Sequence, residues 1–346
     1  MVKKFVYGTP FETEAVVKEI PSSEGNPDYG TFSTENGFSF TTKLADEDMV
    51  FGLGEANRGI NKRGFLYISD CADDPNHVES KTSLYAAHNF IIISGKTHVG
   101  FFFDYPGTLR FDIGYTTSDT MTVSCENADL YVYMITGDSD LDIVKQFRGI
   151  IGRSYIAPKF AFGYGQSRWG YKTEDDFRTV VKKYRENHVP LDMVYMDIDY
   201  MQDYKDFTVN EERFPDFEGF VQDMKKEKIH LVPIIDAGVK VEEGYDIYEE
   251  GCEKGYFCRR EDGSYFEATV WPGWTHFPDV LNADARKWFG DKYDVLVSKG
   301  IDAFWNDMNE PSIFYSQEGL ADFKETAKKY VEGDPEVPHY MGGGER

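Results

Sequence analysis

The spacing of apolar residues changes character once along this 346-residue chain, near Ala157-Pro158, and that change limits the fold more than any single motif. Before it, short aromatic and β-branched runs recur: Phe38-Ser39-Phe40-Thr41, Asn89-Phe90-Ile91-Ile92-Ile93, Gly100-Phe101-Phe102-Phe103, Leu109-Arg110-Phe111-Asp112-Ile113 and Leu130-Tyr131-Val132-Tyr133-Met134-Ile135. Gly, Asp, Asn and Ser clusters separate them, and several alternate with period two, which predicts an antiparallel β-sandwich over 1–140. Ile143, Phe147, Ile150 and Ile151 then fall at helical spacing, so 141–157 reads as a linking helix and boundary.

Beyond Pro158, strand and helix patterns alternate. Strands are expected at Phe160 to Gln166, Met193 to Asp199, His230 to Asp236 and Gly300 to Asn306. Between them, Thr173 caps a helix with Asp176 three residues on, Phe217, Phe220, Val221 and Met224 mark a second, and Asn282 or Asp284 opens a third. The long stretch between the third and fourth strands carries Asp262-Gly263, a hairpin signal between Tyr256–Glu261 and Ser264–Ala268. Four βα repeats predict the first half of a (β/α)8 TIM barrel over 158–346, with an insertion before its fourth strand. A doubly wound sheet is the alternative, but no Gly-x-Gly-x-x-Gly follows the first strand.

The fourth strand runs into Phe304-Trp305-Asn306-Asp307-Met308-Asn309-Glu310-Pro311. Alternation puts Ile301, Ala303, Trp305 and Asp307 on one face. An indole beside a carboxylate suits a sugar, because the ring stacks on the apolar face of a pyranose while the carboxylate attacks or stabilises an oxocarbenium-like carbon. A capped strand end turning into a polar loop fits the same residues. Asp197 and Asp236 end the second and third strands in a comparable way.

Composition excludes several partners. A net charge of −24 opposes a nucleic-acid backbone, which needs Lys and Arg stripes. Four cysteines in so long a chain are not a disulfide scaffold, and no CxxC or HExxH pattern offers zinc. The acidic segment from Asp70 to Glu79 lacks calcium-loop spacing. No apolar leader or membrane-length stretch is evident. The expectation is a cytoplasmic protein without cofactor, metal, nucleic-acid or membrane partner, with homo-oligomerisation left open.

Trp305-Asn306-Asp307-Met308-Asn309-Glu310 resembles the nucleophile signature of glycoside hydrolase family 31, in the form found in its α-glucosidases. Phe51-Gly52-Leu53-Gly54-Glu55, Gly165-Gln166-Ser167-Arg168-Trp169-Gly170, Asp197-Ile198-Asp199-Tyr200, Pro233-Ile234-Ile235-Asp236 and Trp271-Pro272-Gly273 through Phe277-Pro278-Asp279 agree in the expected order. The resemblance implies Asp307 as nucleophile, with Glu310 as a supporting hydrogen-bond acceptor. It implies a sugar pocket from Asp197, Ile198, Trp169, Ile235, Asp236, Trp271, Trp305 and Met308, and Asp73 reaching the next subsite. Trp274 and Phe277 have no clear match.

The activity so implied is retaining, exo-acting hydrolysis of terminal non-reducing α-linked glucose from oligosaccharides through a covalent glycosyl-aspartate. α-Xylosidase and α-galactosidase activities are the nearest rivals, and Met308-Asn309-Glu310 favours glucose. Family members draw their acid/base residue from later barrel strands, which this sequence does not show. The remaining barrel half is therefore expected from the rest of a longer polypeptide. A non-catalytic carbohydrate-binding protein is the alternative.

Overall fold

The computed structural model describes residues 1–71, 75–309 and 312–321. The chain divides into two compact units, Met1–Tyr155 and Ile156–Arg346.

The first unit contains β1 (Val2–Tyr7), β2 (Thr31–Ser33), β3 (Phe38–Lys43), β4 (Met49–Gly54), β5 (Phe65–Ser69), β6 (Ala87–Ser94), β7 (His98–Asp104), β8 (Leu109–Ile113), β9 (Thr120–Cys125) and β10 (Leu130–Gly137). They form two five-stranded antiparallel sheets, ordered β1-β10-β7-β6-β4 and β2-β3-β9-β8-β5. The period-two runs explain why the sheets stack. Phe38 and Phe40 leave one face of β3 and meet Phe101 and Phe103 of β7, with the Phe40 and Phe101 ring centroids 4.7 Å apart. Each such buried ring contributes roughly 1.5–3 kcal/mol. Helix α1 (Asp140–Ile151), capped by Ser139, covers the outer face of one sheet through Ile143 and Ile150. This is the sandwich that the runs predict.

In the second unit β11 (Gly165–Gln166), α2 (Glu174–Glu186), β12 (Met193–Met196), α3 (Phe217–Lys226) and β13 (His230–Asp236) alternate. The excursion that follows holds β14 (Val239–Lys240), α4 (Asp246–Lys254), β15 (Glu267–Val270), β16 (Gly273–His276), α5 (Ala283–Lys292) and α6 (Asp294–Val297). The chain then forms β17 (Trp305–Asp307) and β18 (Tyr315–Ser316). Strands β11, β12, β13 and β17 pair in parallel in that order, the first part of a TIM barrel. Thr173 and Asp176 cap α2 reciprocally, and Asn282 caps α5.

Several elements are shorter than their sequences suggest. Lys159–Phe162 forms a 3-10 turn, leaving only Gly165–Gln166 as the first strand. Strand β12 stops at Met196, and Asp197 caps a 3-10 turn over Ile198–Tyr200. Gly300 to Phe304 is not strand. Only Trp305–Asp307 pairs with β13, so Trp305 and Asp307 share a strand face, while Ile301 is buried with the helices. Asp262-Gly263 makes a tight turn closed by one bridge, Arg259 to Tyr265. The regular hairpin instead joins β15 to β16 through Trp271-Pro272, followed by Gly273 at φ +102°, which a side chain would strain.

Candidate active site

The parallel register sorts the strand ends into two faces. Asp236 pairs with Asp307 and Ile234 with Trp305, while Met196 pairs with Pro233. Side chains alternate along a strand, so Tyr195, Asp197, Asp236, Trp305 and Asp307 belong to one face. The other face carries Val194, Met196, Leu231 and Ile235, which pack in the helix-covered core with Phe177, Phe220 and Trp288. Asn306, also on that side, accepts the Tyr293 hydroxyl at 2.8 Å. Three carboxylates and two aromatic rings thus stand at the C-terminal ends of the strands, on the side away from the helices.

Trp305 is fixed from two directions. Its indole N–H donates to the main-chain oxygen of Met196 at 3.2 Å, and its ring meets Tyr195 edge-on at 6.3 Å. Asp197 accepts the N–H of Ile198 at 2.8 Å, and burial with nearby Asp307 and Asp199 raises its carboxyl above the usual range. Asp236 is the deepest of the three, 1% exposed, and neither carboxyl oxygen has a hydrogen-bond partner among the described residues. Burial first, then the charges of Asp307 and Asp197, push it up to about 7.

A second group flanks the strand ends. Met308, at φ +58°, is buried against Ala268, Val270 and Phe277, which ties the residue after Asp307 to the β15–β16 hairpin. The hairpin tip carries Trp271, whose ring lies 6.0 Å from Trp169 and 5.1 Å from Phe314. Trp169 is 63% exposed and Trp271 42% exposed, so neither is core packing.

The site residues read from sequence therefore fall into distinct places. Asp197, Asp236, Trp305 and Asp307 converge on one face, and Trp169, Trp271 and Met308 group around the adjoining hairpin. Ile198 and Ile235 are buried in the core of the second unit. Trp274 stacks edge-on against Tyr315. Asp73 and Glu310 lie outside the described residues. Tyr195, which strand alternation puts on the face of Asp197, joins the converging residues beside Trp305. Among the described residues no His, Cys, Asp and Glu cluster could hold a metal ion, and no helix is long and apolar enough to cross a membrane.

Comparison with known proteins finds relatives of this chain. Residues 154–340 match the model of the glycosyl hydrolases family 31 TIM-barrel domain, and residues 11–112 match the family's N-terminal galactose mutarotase-like domain. The chain is 38% identical over 277 residues to alpha-glucosidase 2 of Bacillus thermoamyloliquefaciens, covering 79% of this chain and 35% of that protein. It is 28% identical over 318 residues to an alpha-glucosidase of Saccharolobus solfataricus, covering 90% and 46%. The ER glucosidase II heterodimeric complex, of a catalytic subunit and the binding domain of a regulatory subunit, superposes with a TM-score of 0.71 at 27% identity, over 80% of this chain and 33% of that one. This chain thus spans between a third and a half of the length of these curated relatives. The family-model match over most of the second unit shows that the chain belongs to glycosyl hydrolase family 31.

Proposed function

We propose that this protein acts as a retaining, exo-acting α-glucosidase in which Asp307 is the nucleophile. The observation that carries the reading is the placement of Asp307 at a strand end, in register with Asp236 and on one face with Trp305, within a family 31 barrel. In a retaining reaction the carboxylate bonds to the anomeric carbon while an acid on the other side of the glycosidic bond protonates the departing oxygen; water then releases the sugar. Asp197 and Asp236 would accept or donate to hydroxyls of the terminal glucose, each charged hydrogen bond contributing about 1.5–3 kcal/mol. Trp305 and Trp271 would wall the sugar, and Trp169 would face the next residue of the oligosaccharide. The roles of Glu310 and Asp73 remain as the family resemblance implies them.

Asp236, holding its proton near neutrality, invites a second assignment as the general acid. Its position argues against this. Asp236 and Asp307 stand on adjacent strands of one face, and a retaining pair must flank the scissile bond. Asp236 suits the floor of the sugar pocket better. The four cysteines are unpaired, which supports a reducing, cytoplasmic setting.

Turnover of aryl α-glucosides tests the assignment. Asp307→Ala should lower kcat at least ~10³-fold, a loss of about 4 kcal/mol in transition-state stabilisation, with the fold intact. Near-normal turnover in that variant, with Glu310→Ala inactive instead, would reverse it.

A further inference from the structure

One buried acid has no part in that mechanism. Asp206 follows the 3-10 turn Ile198–Tyr200 and is 0% exposed. One carboxyl oxygen accepts the main-chain N–H of Asp236 at 3.0 Å, and its own main-chain oxygen accepts the Tyr245 hydroxyl at 2.7 Å. Its second carboxyl oxygen has no partner among the described residues. The titratable groups around it are Asp236 on β13, Tyr200 on the turn, Tyr245 at the start of α4 and Tyr293 beyond α5. None is a cation. The adjacent Lys205 is engaged elsewhere, with its ammonium 2.6 Å from Glu242.

A carboxylate with one N–H donor, no cation and no water-facing surface is far costlier to bury than a neutral acid. The acid form still offers a carbonyl oxygen to the Asp236 N–H. It does so without adding charge beside Asp197, Asp236 and Asp307.

We propose that Asp206 is a positioning residue: as a neutral carboxylic acid it holds the main-chain N–H of Asp236, and so keeps Asp236 and Asp307 side by side. The inference rests on reading those two as the sugar-facing pair. Burial, and next the charge of Asp236, hold Asp206 well above the usual carboxylate range, in agreement. Tyr200 supports the same strand end by donating to the main-chain oxygen of Ile234 at 2.8 Å.

The test combines carbon-13 titration of aspartate carboxyls, amide exchange at Asp236 and kcat against pH, all on the full chain. The Asp206 signal is identified by its loss in Asp206→Asn. It should still be at its protonated position at pH about 5, where a free aspartate, titrating near ~3.9, is charged. Asp206→Asn, neutral and still an acceptor, should retain Asp236 amide protection and leave both kcat and the acidic limb of the pH profile in place. Asp206→Ala should lose that protection and lower kcat about 10-fold, the equivalent of one lost hydrogen bond, with KM changed less. An Asp206 carboxyl already charged at pH about 5 would overturn the proposal, as would equal Asp236 exchange in the parent, Asn and Ala forms. If the alanine form fails to fold, the titration of the parent still decides. Titration and exchange need no substrate, so they separate this inference from the glucosidase reading.

Discussion

Asp236 sits where its charge is disfavoured, and that has a consequence for stability that needs no substrate to observe. An ordinary aspartate has a value of 3.8, and in the folded protein Asp236 is raised to about 7 by burial, Asp307 and Asp197. Below pH about 4 folded and unfolded chains both hold the proton. Between about 4 and about 7 only the unfolded chain releases it, so stability falls as pH rises through that window and the penalty is complete above it. The raised value corresponds to a cost on the order of 4 kcal/mol at pH about 8. Asp236→Asn, which cannot ionise, should be more stable than the parent at pH about 8 and no more stable at pH about 4, measured by urea unfolding. An equal difference at both pH values would contradict this environment. Little of it is written in the sequence. The period of the strand shows that Asp236 ends it, but its depth and its bare oxygens depend on what packs above. Asp206 escapes sequence reading for the same reason: an aspartate in a polar-looking loop is ordinarily exposed, and only the folded chain buries it.

The β15–β16 hairpin is the element on which substrate selection would turn. Met308 ties it to Asp307, and Trp271 at its tip meets Trp169. Met308→Ala should cost about 2–3 kcal/mol in unfolding free energy, since it removes a buried side chain from a small cluster, and should lower turnover with it. A loss under ~0.5 kcal/mol, the usual range for surface positions, would mean that the hairpin is held by other means. Trp169 is largely exposed, so Trp169→Tyr should leave the melting temperature nearly unchanged while shifting preference among α-1,4, α-1,6 and other glucosidic linkages. Equal losses on every linkage, together with a lower melting temperature, would assign Trp169 to packing. The caps of α2 and α5 were legible because Thr173, Asp176 and Asn282 act through local bonds. The hairpin was not, because its turn depends on partners. Asp262-Gly263 carries the stronger local signal, yet β15 pairs across Trp271-Pro272, where β14 and β18 supply neighbours on both sides. For the same reason β17 is short: Gly300 to Phe304 is apolar enough for a strand, but pairing with β13 begins at Trp305.

At the scale of the whole molecule, the order of periodicities along the chain is the order of the architecture: two antiparallel sheets stacked on a phenylalanine-rich core, then parallel strands alternating with helices. Strand β13 is buried along most of its length, as a central parallel strand between two covered faces should be. Its neighbours deliver Asp197 and Asp307 to either side of Asp236, so the carboxylate cluster follows from strand order. The central claim is that Asp307, and no other carboxylate of this cluster, bonds to the sugar. A fluorinated α-glucosyl fluoride, whose good leaving group needs little acid assistance and whose fluorine slows hydrolysis of the intermediate, traps that bond for peptide mass spectrometry. The account predicts one glycosyl adduct, carried on Asp307 and lost in Asp307→Ala. An adduct on Asp197, Asp236 or Glu310 would contradict it, as would release of the sugar with inverted anomeric configuration and no adduct at all.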